Sequence, residues 1–185
     1  MIQLIVGGKG SGKTKKMIDM INASAKTTPG NIVCIEKSMK LTYDIDHSAR
    51  LIDVDEYSID GYDMLYGFIA GVLAGNYDIV EVYLDGVLKL GHHDLDALGA
   101  LLPKLAALTG DSVKMVITVS ADMEALPESV KQFAWGPGTS AFFKPYGRAG
   151  GPRRGLPAFA CFSALLRGEK CLTNHIRTLI IDKQP

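Results

Sequence analysis

The sequence lacks the features that mark secreted, membrane-spanning and metal-cluster proteins. Its three cysteines, Cys34, Cys161 and Cys171, are odd in number and too widely spaced for a disulfide framework or a CxxC metal site. No apolar run approaches the roughly 18 residues of a membrane span, and the N-terminus lacks the basic start and longer apolar stretch of a signal peptide. With 47% hydrophobic and 22% charged residues, we expect a globular cytoplasmic protein without a membrane span.

Arginine is scarce in most of the chain, and its distribution divides the sequence in two. Residues 1–134 contain 12 basic and 18 acidic residues, a net charge of −6, and Arg50 is their only arginine. Residues 135–185 contain 8 basic and 2 acidic residues, a net charge of +6, with many glycines and prolines. We therefore predict a folded domain over residues 1–134 and an irregular basic Gly/Pro/Arg-rich tail over residues 135–185, poorly ordered or loosely packed.

Two interpretations of the tail stay open. It is either a basic arm that contacts nucleic acid or another anionic surface, or a segment that did not evolve with the domain, such as a frame-shifted end. The abrupt reversal of charge after residue 134 motivates the second interpretation, so a nucleic-acid partner is not favoured. Within the tail, apolar runs predict a helix over residues 158–166 and a strand over residues 176–181.

Short apolar strands alternate with helical patterns up to residue 134. The strand patterns cover residues 2–6, 31–36, 50–54, 78–84 and 113–119. The helical patterns cover residues 13–25, a stretch capped by Ser58 or Asp60 that runs to Gly75, residues 94–108 with a kink or division at Pro103, and residues 127–134. Near-continuous apolar strands are typical of a parallel sheet with helices on both faces. The sequence therefore predicts an α/β fold with three layers and a mainly parallel sheet of about five strands.

A glycine-rich segment follows the first predicted strand and precedes the first predicted helix. This glycine loop (residues 7–14) reads Gly7-Gly8-Lys9-Gly10-Ser11-Gly12-Lys13-Thr14 and satisfies the phosphate-loop pattern G-x-x-x-x-G-K-[ST]. Glycines let backbone N–H groups turn toward phosphates, and the positive end of the following helix attracts the same anion. Lys13 is predicted to contact the β- and γ-phosphates, and Thr14 to bind Mg²⁺, while Lys9 and Ser11 add donors. We expect this loop to bind a nucleoside triphosphate.

Asp85 is the predicted carboxylate ligand of the Mg²⁺ ion. It follows a mainly apolar strand, and the carboxyl edge of a parallel sheet is where ligands bind. Asp53 and Asp55, which follow a shorter strand, are the competing candidates. Asp85 and Gly86 also form a common turn dipeptide, so a turn role for Asp85 is the alternative.

Gly86 stands where many ATP-hydrolysing proteins with a phosphate loop carry a water-activating glutamate. Glu36, at the end of the second strand, is the alternative base, and a solvated strand-end charge is its competing interpretation. The fifth strand ends in the hydroxyls of Thr118 and Ser120 and is followed by Asp122. A polar residue at this strand end is either a sensor of the γ-phosphate, if the strand lies beside the strand that precedes the glycine loop, or an ordinary strand residue or helix cap. The departure at Gly86 makes fast hydrolysis doubtful.

The domain resembles the P-loop NTPase superfamily. More narrowly, it is similar to small, little-characterised bacterial P-loop ATP-binding proteins, some of which are labelled twitching-motility ATPases. The segments that carry the resemblance are residues 5–14, 50–53, 66–71, 83–86 and 117–122. The resemblance covers residues 1–134 and not the tail. It implies ATP binding at the glycine loop and a Mg²⁺ role for Asp85, and it assigns no substrate.

Two signatures of other nucleotide-binding classes are missing from the sequence. No N/T-K-x-D segment follows a strand to bind guanine, which favours ATP over GTP, and no L-S-G-G-Q-like segment of an ABC ATPase is present. Nucleotide kinases hold two phosphorylated substrates with several arginines, whereas this domain has one. The sequence therefore predicts a Mg²⁺-dependent ATPase with Lys13 and Glu36 as catalytic residues. A nucleotide-dependent switch with little hydrolysis and a small-molecule kinase are the alternatives.

Overall fold

The computed structural model describes residues 1–38 and 41–134 of the chain. The predicted tail, with its helix over residues 158–166 and its strand over residues 176–181, lies outside the described residues. No helix in the described part of the chain is long and apolar enough to cross a membrane.

Five strands and five α-helices make up the described domain. The strands are β1 (Ile2–Val6), β2 (Asn31–Glu36), β3 (Ala49–Asp53), β4 (Ile79–Leu84) and β5 (Lys114–Val119). The helices are α1 (Lys13–Ala25), α2 (Tyr62–Gly75), α3 (Val87–Leu90), α4 (Leu95–Thr109) and α5 (Glu128–Lys131). Two short 3-10 turns, Val54–Tyr57 and Met123–Ala125, follow β3 and β5. The predicted strands and the first helix are confirmed to within two residues at each end.

The five strands form one parallel sheet with the order β1-β5-β4-β2-β3. Every strand therefore ends at the same side of the sheet, which we call the carboxyl edge. β1 and β3 are the outer strands, and β5 lies between β1 and β4. On the outer side of β1, the Leu4 N–H donates to the Phe133 carbonyl at 2.9 Å, and Leu4 forms an isolated parallel bridge with Ala134. The predicted α/β class and five-stranded parallel sheet are thus confirmed.

Helices cover both faces of the sheet. Successive strand residues point to opposite sides, so the apolar strands present one apolar surface on each face. On one face, Met17 and Ile21 of α1 pack against Cys34, Tyr83 and Val116 of the sheet. On the other face, the alternate strand residues form a larger core with the remaining helices. The helical members of this core include Leu65, Ile69, Leu90, Leu98, Leu102, Leu105 and Val130. Apolar packing thus occupies both faces, which leaves the carboxyl edge for polar groups.

The start of α2 differs from the predicted one. Neither Ser58 nor Asp60 caps the helix, because its N-cap is Gly61, which has φ 79° and ψ 162° and makes no side-chain cap. That backbone conformation is essentially restricted to glycine, and the Gly61 N–H donates to the Leu90 carbonyl at 2.9 Å. The predicted side-chain cap is therefore wrong, since a contact with α3 fixes the helix start instead.

The two C-terminal helices agree with the sequence prediction only in part. Asp94 opens α4 as predicted, and its side chain accepts a backbone N–H of the first turn at 2.8 Å. Pro103 lies inside α4 without dividing it, because burial of the leucines on both sides offsets a cost of about 3 kcal/mol. α5 is shorter than the predicted helix over residues 127–134, since the chain leaves the helix to pair Ala134 with Leu4.

Gly99 of α4 tests the packing between α4 and α5, and Gly67 of α2, which has free space around it, is the control. A methyl group on Gly67 of α2 would meet no atom within 4 Å, whereas one on Gly99 of α4 would lie 3.2 Å from the Ser129 Cβ and overlap the Ser129 hydroxyl. We predict that Gly67→Ala raises the free energy of unfolding by about 0.5–1 kcal/mol through helix propensity. Gly99→Ala is predicted to lower it by about 1 kcal/mol, because α5 must shift. Urea denaturation of the full chain measures both, and equal stabilisation by both variants would contradict the described contact.

Candidate functional site

The glycine loop joins β1 to α1 at the carboxyl edge of the sheet. Gly10 and Gly12 have φ angles of 83° and 81°, a left-handed conformation that costs other residues about 1–2 kcal/mol each. Gly12 is the N-cap of α1, which has no side-chain cap and no acidic residue in its first turn. The first N–H groups and the positive end of the α1 dipole are therefore available to an anion at the loop.

The Lys13 side chain lies inside the glycine loop. It is 9% exposed, and its Nζ donates to the Gly8 carbonyl at 2.8 Å and to the Ser11 Oγ at 3.4 Å. The Ser11 hydroxyl covers Gly7 so closely that a side chain on Gly7 would overlap it. The loop therefore surrounds one ammonium group with backbone and hydroxyl groups, a combination suited to phosphate.

Asp85 lies beside the first turn of α1, although the two segments are far apart in sequence. The Thr14 Oγ1 donates to Asp85 Oδ1 at 3.3 Å, and the second carboxyl oxygen is 3.5 Å from the same hydroxyl. The Asp85 N–H donates to the Ile35 carbonyl at 2.9 Å, which continues the pairing of β4 with β2. The fold thus brings together the two residues predicted to hold Mg²⁺.

Thr118 fixes the orientation of the Asp85 carboxylate. Its hydroxyl donates to Asp85 Oδ1 at 2.6 Å and accepts the Gly86 N–H at 2.8 Å, and the residue is 1% exposed. The sequence pattern offers the hydroxyls at the end of β5 either as sensors of the γ-phosphate or as ordinary β-strand residues, and it predicts no bond between Thr118 and Asp85. The function of Thr118 becomes visible only when β5 is known to lie beside β4.

The Thr14 hydroxyl and the Asp85 carboxylate are hard oxygen donors. Across residues 1–38 and 41–134, no three or more His, Cys, Asp and Glu side chains are grouped to hold a metal ion. Mg²⁺ is usually bound by one or two carboxylates together with water and substrate phosphates, and not by a complete protein cage. The two donors therefore fit a Mg²⁺ ion whose coordination is completed by phosphate oxygens and water.

Glu36 ends β2 at the carboxyl edge but is held in the interior. It is 2% exposed, and its Oε1 accepts the Leu41 N–H at 2.9 Å. β2 lies beyond β4 as seen from β1, so β4 and β5 separate Glu36 from the strand that carries the glycine loop. Its role as the catalytic base stays a prediction, and the bond to Leu41 gives it a structural role as well.

The competing acids organise the loops that follow β2 and β3. Asp53 Oδ1 accepts the N–H groups of Ser38 at 3.1 Å and Asp55 at 2.9 Å. Asp55 forms an ion pair with Lys37 at 3.6 Å. β3, which also carries the exposed Arg50, is the outer strand farthest from β1. Neither acid is therefore placed as close to the glycine loop as the acid that follows β4.

Negative charge at the carboxyl edge affects Cys34, which lies in β2. Burial, followed by the carboxylates of Glu36 and Asp85, raises the pKa of the Cys34 thiol. The thiol is fully buried, and both effects disfavour the thiolate, the form in which a cysteine acts as a nucleophile. The charges of Glu36 and Asp85 thus both act on the Cys34 thiol, which lies below the carboxyl edge.

Gly86 has a structural reason to be glycine. It is the N-cap of α3 with φ 67°, and a Cβ at this position would lie 3.4 Å from the Lys89 Cδ. A glutamate at residue 86 would need a left-handed backbone, which costs residues other than glycine about 1–2 kcal/mol. Residue 86 therefore supplies no base to this site.

No protein-family model matches the chain. No curated protein matches it either. A functional proposal therefore rests on the geometry of the glycine loop, Asp85 and Thr118.

Thr118→Val tests the hydrogen bonds that orient Asp85. Valine keeps the shape of threonine but leaves the buried Gly86 N–H without a partner, so we predict a loss of about 1–3 kcal/mol in the free energy of unfolding. Thr118→Ser keeps the hydroxyl and loses only a buried methyl group, for which we predict a loss of about 0.8 kcal/mol. Urea denaturation compares the variants. A serine variant as unstable as the valine variant would show that methyl packing, and not the hydroxyl, stabilises this position.

Proposed function

We propose that the protein binds ATP with Mg²⁺ at the glycine loop and hydrolyses it, as a three-layer domain of the P-loop NTPase class. One observation carries the proposal: the Thr14 hydroxyl and the Asp85 carboxylate meet at 3.3 Å beside the loop that surrounds Lys13. A phosphate-binding loop, a pair of metal donors and a helix N-terminus thus lie together. They lie at the carboxyl edge, where open α/β sheets bind their ligands.

Each residue of the loop has a chemical task in this proposal. Lys13 exchanges its carbonyl partner for the β- and γ-phosphates, and the N–H groups of the loop bind further phosphate oxygens. Thr14 and Asp85 hold the Mg²⁺ ion, while Lys9 and Ser11 add donors. When bound, Mg²⁺ neutralises charge on the β- and γ-phosphates. Lys13 adds a positive charge on the same side of the transferred phosphoryl group.

ATP is the proposed nucleotide because the sequence has no N/T-K-x-D segment to bind guanine. In this proposal, the residues of the site bind phosphates and a metal ion. ATP and GTP carry the same triphosphate and bind the same metal ion, so these residues do not distinguish the two bases. Discrimination between the two bases therefore needs its own measurement, in which GTP competes with ATP for the purified protein.

Hydrolysis is the part of the proposal that requires a base. Gly86 supplies none, and the predicted base Glu36 is buried and bonded to Leu41. These two observations favour a second candidate function, a nucleotide-dependent switch that binds ATP and hydrolyses it slowly. Phosphate release at saturating Mg·ATP separates the two functions, because release above the level of a Lys13→Ala variant supports the ATPase.

Lys13→Ala tests nucleotide binding at the loop. We predict that Mg·ATP at 100 times its Kd stabilises the wild type by about 2.7 kcal/mol, and that Lys13→Ala lowers the affinity roughly tenfold or more, because the ammonium–phosphate contact is charge-assisted. Lys26→Ala removes the same charge at the far end of α1, about 20 Å away, and is the control expected to bind as the wild type. Thermal shift and calorimetric titration measure both. Unchanged ATP affinity in Lys13→Ala would show that the nucleotide binds elsewhere.

Asp85→Asn tests the pair of metal donors. A neutral amide is a weaker ligand for a hard cation, so we predict that Mg²⁺ no longer strengthens ATP binding in this variant. In the presence of EDTA, the variant is expected to bind ATP at least as well as the wild type, since one negative charge is gone. Asp55→Asn, which changes the surface acid paired with Lys37, is the matched control and should keep the Mg²⁺ dependence. Loss of that dependence in Asp55→Asn alone would assign the metal to the competing acid.

A further inference from the structure

Asp122 places a carboxylate against the glycine loop. It follows β5, the strand that pairs with β1, and its Oδ1 is 3.4 Å from the position that a Cβ on Gly8 would take. The side chain is exposed. Asp122 occupies the cap position of the turn at Met123–Ala125, but its side chain makes no hydrogen bond to that turn and no hydrogen bond or ion pair with the described residues. A carboxylate without a partner among residues 1–38 and 41–134 thus faces the segment proposed to hold the phosphates.

The other acids at the carboxyl edge already have protein partners. Asp85 is held by the hydroxyls of Thr14 and Thr118, and Glu36 is buried and accepts a backbone N–H at 2.9 Å. Neighbouring strands lie about 4.8 Å apart, and β2 is two strands farther from β1 than β5 is. The end of β2, which carries Glu36, is therefore roughly 10 Å farther from β1 than the end of β5, which leads to Asp122.

Lys89 also lies near this part of the edge, where its side chain packs over Gly86. An ammonium group attracts phosphate but cannot accept a proton from water while it is charged. The geometry leaves the carboxylate of Asp122 as the group that is both adjacent to the loop and able to accept a proton.

We propose that Asp122 is the acid that orients and deprotonates the water molecule that attacks the γ-phosphate of ATP. The inference rests on the proposed function. In this step, a bond forms between the water oxygen and the γ-phosphorus, and the bond between that phosphorus and the β–γ bridging oxygen breaks. The electron pair of the broken bond leaves with ADP. One proton of the water passes to the Asp122 carboxylate and from there to solvent, which restores the ionised carboxylate.

A carboxylate at this position also affects the choice between ATP and ADP. The γ-phosphate brings negative charge toward Asp122, whereas ADP ends one phosphate earlier, and like charges at short distance repel each other. Asp122→Asn removes this repulsion and keeps the size of the side chain. The variant should therefore bind ATP more tightly relative to ADP and hydrolyse it more slowly, two opposite effects that a damaged fold does not produce together.

The experiment compares the full-length wild type with Asp122→Asn, Glu36→Gln and Glu124→Gln. Glu124 is an exposed acid on the turn after Asp122, and its variant is the control for the loss of one negative charge. For Asp122→Asn, we expect Mg²⁺-dependent phosphate release to fall about 100-fold or more. We also expect the ratio of the Kd for ATP to the Kd for ADP to fall roughly 3- to 10-fold. Glu124→Gln should change neither quantity.

Each other outcome overturns the role of Asp122 in a distinguishable way. If Asp122→Asn releases phosphate like the wild type while Glu36→Gln does not, Glu36 is the base and the proposed ATPase function stands. An unchanged ratio of ATP to ADP affinity in Asp122→Asn shows that its carboxylate does not face the γ-phosphate. If the wild type binds ATP but releases no more phosphate than Lys13→Ala, the step assigned to Asp122 is wrong and nucleotide binding stands. If the wild type binds no nucleotide, both proposals fail.

Discussion

The position of β5 between β1 and β4 is the constraint on which the candidate site depends. Parallel pairing brings the ends of these three strands to one edge, and the Gly7 N–H donates to the Val119 carbonyl at 3.2 Å, which ties the glycine loop to β5. From the same strand, the Thr118 hydroxyl reaches the carboxylate of Asp85. Thr14 and Asp85, 71 positions apart, therefore meet. A slip of β5 by one residue would turn Thr118 to the other face of the sheet and separate these groups.

The same arrangement accounts for the glycine that follows Asp85. The Gly86 N–H donates to Thr118, and the backbone then enters the left-handed conformation that opens α3. Another residue would cost about 1–2 kcal/mol at this φ and would meet Lys89. Residue 86 is thus part of the scaffold that orients Asp85, and in the proposed function the carboxylate that activates water comes from a different strand. β5, whose Thr118 donates a hydrogen bond to Asp85, is also the strand that leads to Asp122.

Sequence patterns predict those features of the domain that are encoded locally. The five strands, the helix after the glycine loop and the acid at the end of β4 follow from windows of about 11–18 residues. The bonds of Thr118 to Gly86 and Asp85 join residues 32 and 33 positions apart, and they depend on strand order, which no local pattern encodes. The same limit applies to Gly61 at the start of α2, because its N–H bonds to the distant Leu90 carbonyl.

The charges at the carboxyl edge decide which form of a nucleotide the proposed site can accept. Residues 1–134 carry 12 basic and 18 acidic side chains, and Asp85, Glu36 and Asp122 all follow or end strands at this edge. A helix N-terminus contributes only about 0.3–1 kcal/mol to an exposed anion, so Lys13 and α1 face several carboxylates when a free triphosphate approaches. A divalent cation is the largest local charge in such a site and reverses the sign of the field around Asp85. In the proposed function, the acids therefore select the metal-bound nucleotide, and the metal ion is a condition for binding before it is a condition for hydrolysis.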